Sequence, residues 1–261
     1  MGFSPQRVLI TGAAGAIGGE LAKAFASAWP QALRILVDRD EQALRERFRE
    51  EPGRVVTETC DLTDIQALPG WWEAIVERHG SPDVLINCAG IMEIISFQGT
   101  GWELGSRILD INLTAPLRLM DLALPAMVEA GRGAVINVSS LAGEIPLRGC
   151  SYYGAAKAGI ARASEIARAE LAEQGVQVIT VYPGPVYSGL ESHARGQTAP
   201  GFLQRNIPTG KPDELAGEIL RAFQRGHPRV IYPRIFRFSR ELMQPGLPRR
   251  LIERFSPRPK K

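Results

Sequence analysis

The chain has 261 residues, 44% hydrophobic and 23% charged, with 27 Gly and 19 Pro; disorder, collagen and coiled coil are excluded by that composition. No run approaches the ~18 apolar residues of a membrane span and no hydrophobic signal core precedes the first strand, so a soluble, cytoplasmic protein of one domain is expected. A formal net charge of +3 hides an asymmetry: residues 221–261 carry 12 basic and 2 acidic groups against 19 and 26 in the rest, so the tail needs its own explanation.

Short β-branched runs alternate along the chain with longer segments of helical period. Strands are predicted at Arg7 to Thr11, Leu33 to Asp38, Arg54 to Thr59, Asp83 to Asn87, Ala134 to Ser139, Val176 to Tyr182 and Arg229 to Tyr232. Helices are predicted at about Gly15 to Ala28, Asp40 to Glu50, Asp64 to His79, Trp102 to Ala130, Ser151 to Gln174 and Asp213 to Gln224. That alternation implies an α/β fold, a single doubly wound domain (1–232) with a seven-stranded parallel sheet flanked by helices and joined by right-handed crossovers. Residues 188–210 lack a period and read as a long substrate loop. Residues 233–261 read as a basic amphipathic extension. Three scattered Cys and three scattered His have no ligand spacing, so reduced thiols and no metal site are expected. The triplets beginning at Asn112 and Asn137 fit a glycosylation pattern but carry no weight without a secretory signal.

The first strand runs into Gly12-Ala13-Ala14-Gly15-Ala16-Ile17-Gly18 before a helix. Glycines at such a turn let backbone amides approach a pyrophosphate at the positive helix end. The second strand ends at Asp38, twenty residues after Gly18, where a carboxylate can accept from both ribose hydroxyls and would repel a 2′-phosphate. Asp38 therefore favours NAD over NADP, although Arg39 stands beside it. Asp61-Leu62 and Asn87-Cys88-Ala89-Gly90 follow the third and fourth strands, at the same carboxyl edge of the sheet.

Tyr153 and Lys157 are four apart and share a helix face. An ammonium near a phenol favours the phenolate, which makes the pair a proton donor and acceptor near neutral pH. Ser140 lies thirteen residues before Tyr153 at a predicted strand end and can bond a substrate oxygen, with Ser139 as the alternative. Asn112, polar among Ile111, Leu113 and Leu117, either holds a water between Lys157 and solvent or marks a helix kink or a satisfied core amide.

Taken together, the glycine turn, Asp61, Asn87 to Gly90, Asn112, Ser140, Tyr153, Lys157 and Pro183-Gly184-Pro185-Val186 resemble, in this order, the classical short-chain dehydrogenase/reductase family. The resemblance covers nearly all of residues 5–232 and implies a Rossmann-type domain. It also implies Tyr153 as general acid/base, Ser140 orienting substrate, Lys157 tuning Tyr153 and holding the nicotinamide ribose, and Asn112 supporting a proton relay. Pro183, Gly184, Val186 and Ser188 are implied to cover the nicotinamide, with the Val186 backbone on its carboxamide. Two positions depart from the pattern: Ala16 stands where the second glycine is usual, giving the spacing of the extended branch, and Cys88 replaces the commoner second Asn.

These residues imply an oxidoreductase moving hydride between NAD(H) and a secondary alcohol or ketone. The competing class is a dinucleotide-sensing or scaffold protein, which has no need of a phenol beside an ammonium. Ile145, Leu147, Leu190, Phe202, Leu203 and Ile207 suggest a mainly apolar substrate pocket. By analogy, the helices at 102–130 and 151–174 imply a homodimer or homotetramer. In the tail, positions 235, 238 and 242, then 247, 251 and 255, fit two short amphipathic helices. Those helices either pack on the body or a partner subunit, or border the substrate entrance and touch an anionic membrane or amphipathic substrate; no nucleic-acid reader motif is present.

Overall fold

Strands β1 (Arg7–Thr11), β2 (Leu33–Asp38), β3 (Val55–Thr59), β4 (Val84–Asn87), β5 (Gly133–Val138), β6 (Val176–Pro183) and β7 (Arg229–Tyr232) form one sheet in a computed structural model that describes residues 3–50, 53–197 and 208–238. The order is β3-β2-β1-β4-β5-β6-β7 and every pair is parallel. Each strand agrees with its predicted span to within one residue at either end. The reason is burial on both faces: β4 and β5 are buried at every position, and such strands read as near-continuous apolar runs, here with only Asn87 and Asn137 polar.

The connections carry α1 (Ala16–Ala28), α2 (Glu41–Phe48), α3 (Leu68–His79), α4 (Phe97–Leu109), α5 (Ala115–Glu129), α6 (Ser151–Glu170), α7 (Gly189–Gly196) and α8 (Pro212–Arg225). Alternation along the strands splits the core in two. Val8, Ile10, Leu36 and Ile136 pack with Leu21 and Phe25 of α1 and Ile219 and Phe223 of α8. On the other face Leu9, Ile35, Leu85 and Val135 pack with Trp72 of α3, Leu119 of α5 and Ile160 of α6. Fully burying such a side chain contributes roughly 1.5–3 kcal/mol, so the two layers fix the sheet that positions the site.

Several predicted helices are corrected. The span from Trp102 to Ala130 is three pieces, with a π-helical turn at Asp110–Thr114 between α4 and α5. Pro116 explains the break: it has no N–H to give the carbonyl four residues back, and the chain widens around the gap. The third helix begins at Leu68 rather than Asp64, whose carboxylate accepts instead from the Ala67 amide at 3.2 Å. The helices predicted to reach Glu50 and Gln174 stop at Phe48 and Glu170, as α2 and α6. Part of the supposed loop at 188–210 is helix α7, capped by Ser188, whose Oγ accepts from the Glu191 amide at 3.1 Å. Asn112 and Asn137 are both fully buried, so neither triplet presents a glycosylation acceptor. Of the extension, the turn Arg234–Phe238 sets Phe236 against Leu141 and Tyr182. Phe202, Leu203, Ile207 and the remainder of the predicted tail helices lie outside the described residues.

Candidate active site

Strand order reverses between β1 and β4, and in open α/β sheets ligands bind beyond the carboxyl ends of strands at that crevice. A cavity of about 560 Å³ lies there. At its cofactor end the chains leaving β1 and β4 nearly touch: Gly12 has φ +68, and a Cβ there would meet Ala89 Cα at 2.7 Å. A Cβ on Gly18 would meet the Gly12 carbonyl oxygen at 2.2 Å, so α1 starts hard against the turn. Thr11 Oγ1 accepts from the Cys88 and Ala89 amides at 3.1 and 3.2 Å, which ties the two exits together.

The N-terminus of α1 suits an anion. Gly15 caps it without a side-chain bond and no acid occupies the first turn, in contrast to α2 and α7, which Asp40 and Ser188 cap. Its free amides and partial positive charge therefore face the cavity, where Gly15, Ala16, Ile17 and Gly18 form the wall. Asp38 is held rigidly, Oδ2 accepting from the Ala14 amide at 3.1 Å and Oδ1 from the Arg39 amide at 2.8 Å. Asp61 and Leu62 line the same end. Two hydrogen bonds from Thr63, at 2.9 and 2.7 Å, keep the Asp61 carboxyl below its usual range, helped by Arg107 and Arg39. Ala89 and Gly90 line the crevice as expected.

Asn87 does not. Its Nδ2 donates to Asn137 Oδ1 at 2.8 Å and to the Pro116 carbonyl at 3.4 Å, so it clamps β4 to β5 and α5 beneath the cavity. A polar side chain at a strand exit reads the same from sequence whether it points up at a ligand or down into the sheet.

At the other end Ser140, Tyr153 and Lys157 converge on one wall. The Ser140 hydroxyl stands near the Tyr153 phenol and favours its ionised form; its Oγ accepts from the Ala142 amide at 3.1 Å and donates to the Pro183 carbonyl at 3.4 Å. Ser139 also lines the cavity, but its hydroxyl is already engaged, donating to the Lys157 carbonyl at 2.7 Å. The Lys157 ammonium donates to the Val138 carbonyl at 2.9 Å and sits 5.7 Å from the Tyr153 ring centre. Burial pushes the Tyr153 phenol up to about 12, with the Ser140 bond acting against it and Cys150 and Glu191 adding to it. Among the chain's own groups burial sets the direction, and the charges that act on the phenol add to it. Burial also pulls Lys157 down to about 8.

Asn112 faces the same spot from the π turn. Its Nδ2 donates to the Ile91 and Ile108 carbonyls at 2.8 and 2.9 Å, leaving a buried Oδ1 without a protein partner. A Cβ placed on Gly90 would lie 2.7 Å from that Oδ1 and 3.5 Å from Lys157 Nζ, so the bare amide oxygen and the ammonium both stand close beside Gly90.

Pro183, Gly184, Val186 and Ser188 run over the cavity. The segment is held by Gly184 N–H donating to the Tyr232 carbonyl at 2.7 Å and by a bridge between Val186 and Gly210. Sequence reasoning missed Ile91, Met92 and Ile94, an apolar run without helical period, and Glu191 and Arg195 on α7, all of which line the cavity. It also missed the clamp holding α7 down: Glu93 accepts from His193 at 3.0 Å and from Gln197, whose Oε1 in turn accepts from the Ile94 amide at 2.8 Å. Ser188-x-x-Glu191, a capping-box spacing, was the available signal for that helix.

Residues 6–198 match the family model described as short chain dehydrogenase. The chain belongs to the short-chain dehydrogenase/reductase family. A curated relative, dehydrogenase/reductase SDR family member 7B of Xenopus laevis, is 30% identical over 230 residues, 82% of this chain and 70% of that one. Among solved structures, a short-chain dehydrogenase from Sphingobium yanoikuyae in complex with NADPH is 28% identical, with a TM-score of 0.78 and 91% of each chain covered. The bulky-bulky ketone specific alcohol dehydrogenase from Comamonas testosteroni is 25% identical, with a TM-score of 0.76, covering 92% of this chain and 91% of that one. As a short-chain dehydrogenase/reductase, the protein is an oxidoreductase of a family that uses a nicotinamide dinucleotide. Among its described residues no helix is long and apolar enough to cross a membrane.

Proposed function

We propose that the chain is an NAD-dependent alcohol dehydrogenase or ketone reductase acting on a secondary alcohol or ketone carried by a hydrophobic body. The observation that carries this reading is the meeting of Ser140, Tyr153 and Lys157 on one wall of a cavity that Ile91, Met92, Ile145, Leu147 and Leu190 also line. The residues fit a dinucleotide: uncapped α1 amides for the pyrophosphate, Asp38 for the adenosine ribose, Lys157 for the second ribose. When bound, the nicotinamide gives or takes the hydride.

Ser140 donates to the substrate oxygen and holds it against the phenol. In reduction Tyr153, protonated across the neutral range because it titrates at about 12, gives that oxygen its proton. In oxidation it takes the alcohol proton, a step that needs added positive charge near the ring to offset burial, and the oxidised cofactor carries one. Lys157, titrating at about 8, keeps its proton at neutral pH yet releases it readily. With a water on the bare Asn112 Oδ1, that provides a route by which protons reach Tyr153.

A 2′-phosphate would meet the Asp38 carboxylate, fixed by backbone amides on both oxygens; NAD is therefore the preferred cofactor. Leu117 on α5 and Ile166 on α6 are exposed at 38% and 51%, and we place a homo-oligomer contact on those helices. The test is a panel of secondary alcohols and ketones with NAD(H) and NADP(H), on wild type and Tyr153→Phe. Turnover with NAD(H) is expected, falling by about 10²–10⁴-fold in the variant while NADH still binds. Dinucleotide binding with no turnover on the panel, or a variant as active as wild type, overturns the reading.

A further inference from the structure

A second cavity, of about 220 Å³, opens where the C-terminal end of α8 meets edge strand β7. Arg221, Arg225, His227, Arg229 and Arg234 line it, and Glu218 is its sole acid among the described residues. Arg221 and Arg234 both reach Glu218, at 3.3 and 2.7 Å, and Arg229 pairs with Glu165 of α6. Two carboxylates thus answer four guanidinium groups, with Arg225 and His227 exposed on the rim.

This basic face is joined to the active site by the turn Arg234–Phe238. Arg234 lines the basic cavity, Phe236 lines the catalytic one, and Ile235 between them is 64% exposed. The sequence beyond keeps both characters: Leu242, Leu247, Leu251 and Phe255 are interleaved with arginines, and residues 221–261 together carry a charge of +10. A surface serving phosphates alone has no use for an exposed isoleucine among its cations. A bilayer interface uses both, cations for anionic headgroups and apolar groups for the acyl boundary.

We propose that this face docks on an anionic phospholipid bilayer and brings the catalytic cavity to amphipathic alcohols and ketones held there. The docking stands independently of the redox assignment; only the delivery of substrate rests on it.

Flotation of the full chain tests it, with vesicles of phosphatidylcholine alone and of phosphatidylcholine with phosphatidylserine, and with duplex DNA as a competing polyanion. Each basic residue near such a surface changes partitioning by about five-fold. Arg221→Ala/Arg225→Ala/Arg234→Ala, all exposed positions, is therefore expected to lower binding to the anionic vesicles by at least about ten-fold. Ile235→Ser is expected to lower it further, and salt at about 0.5 M to abolish it. Equal partitioning on both vesicle types, a triple variant that floats like wild type, or a preference for DNA over vesicles overturns the proposal. Flotation reads no turnover, so failure here leaves the redox reading intact, and a protein inactive on every alcohol still answers this test.

Discussion

Replacing Lys157 by Met is expected to make the protein more stable while it abolishes turnover. The ammonium is 5% exposed, and burial pulls it from 10.5 down to about 8. At about 1.4 kcal/mol per pH unit, that displacement corresponds to roughly 3 kcal/mol of destabilisation when the charged form is kept in the fold. Methionine fills similar space without charge, but leaves the Val138 carbonyl without the donor it has at 2.9 Å, a loss of ~1 kcal/mol. The net gain at pH 7 is about 2 kcal/mol. Its pH dependence has a fixed sign: below pH 8 both folded and unfolded wild type hold the proton and the penalty is full. Between 8 and 10.5 the folded chain has released it while the unfolded chain has not, so wild-type stability climbs with pH. The advantage of the variant should shrink by about 2 kcal/mol between pH 7 and 9.5. Urea unfolding of the cofactor-free proteins, followed by far-ultraviolet circular dichroism at both pH values, measures this directly. A variant no more stable than wild type at pH 7, or a gap that does not change with pH, would refute the reasoning.

The neighbouring serines should separate cleanly. Ser140→Ala is expected to lower kcat by about 10²-fold, whereas Ser139→Ala, which loses only the bond to the Lys157 carbonyl, should cost ~1 kcal/mol of stability with kcat within a few-fold; equal kinetic losses would contradict the geometry. Gly18→Ala places a methyl 2.2 Å from the Gly12 carbonyl oxygen, and the resulting shift of the turn is expected to cost about 1–3 kcal/mol and weaken NADH binding by more than about ten-fold; unchanged affinity by fluorescence titration would count against the cradle. Glu93→Ala releases the hold on α7, so KM for the alcohol should rise by about three- to ten-fold while NADH affinity stays put; an effect on the cofactor alone would place the clamp elsewhere.

What the sequence made legible divides along physical lines. The strands stood out because Val84 to Asn87 and Ala134 to Val138 are buried on both faces and so are apolar but for Asn87 and Asn137. The cofactor turn and Tyr153-x-x-x-Lys157 were legible because their chemistry depends on local spacing. Helix ends were less so: apolar periodicity runs on through Ile111 and Leu113, and the missing amide of Pro116 was the sign that the helix changes form. The direction of Asn87 was hidden because strand period does not say what lies above or below a strand end. For Tyr153, spacing likewise reveals a nearby cation and not the water that folding removes from the phenol.

The π turn at Asp110–Thr114 couples the proton path to the packing of an entire helix. Each residue advances an α-helix by about 100°. A one-residue deletion that tightened the turn would therefore swing Leu119, Met120 and Ala123 off the sheet in the same stroke that withdrew Asn112 from Lys157. Swapping the amide for another side chain is an ordinary local change. Altering the chain length there is not, and a scan of insertions and deletions should find this stretch among the least forgiving in the molecule.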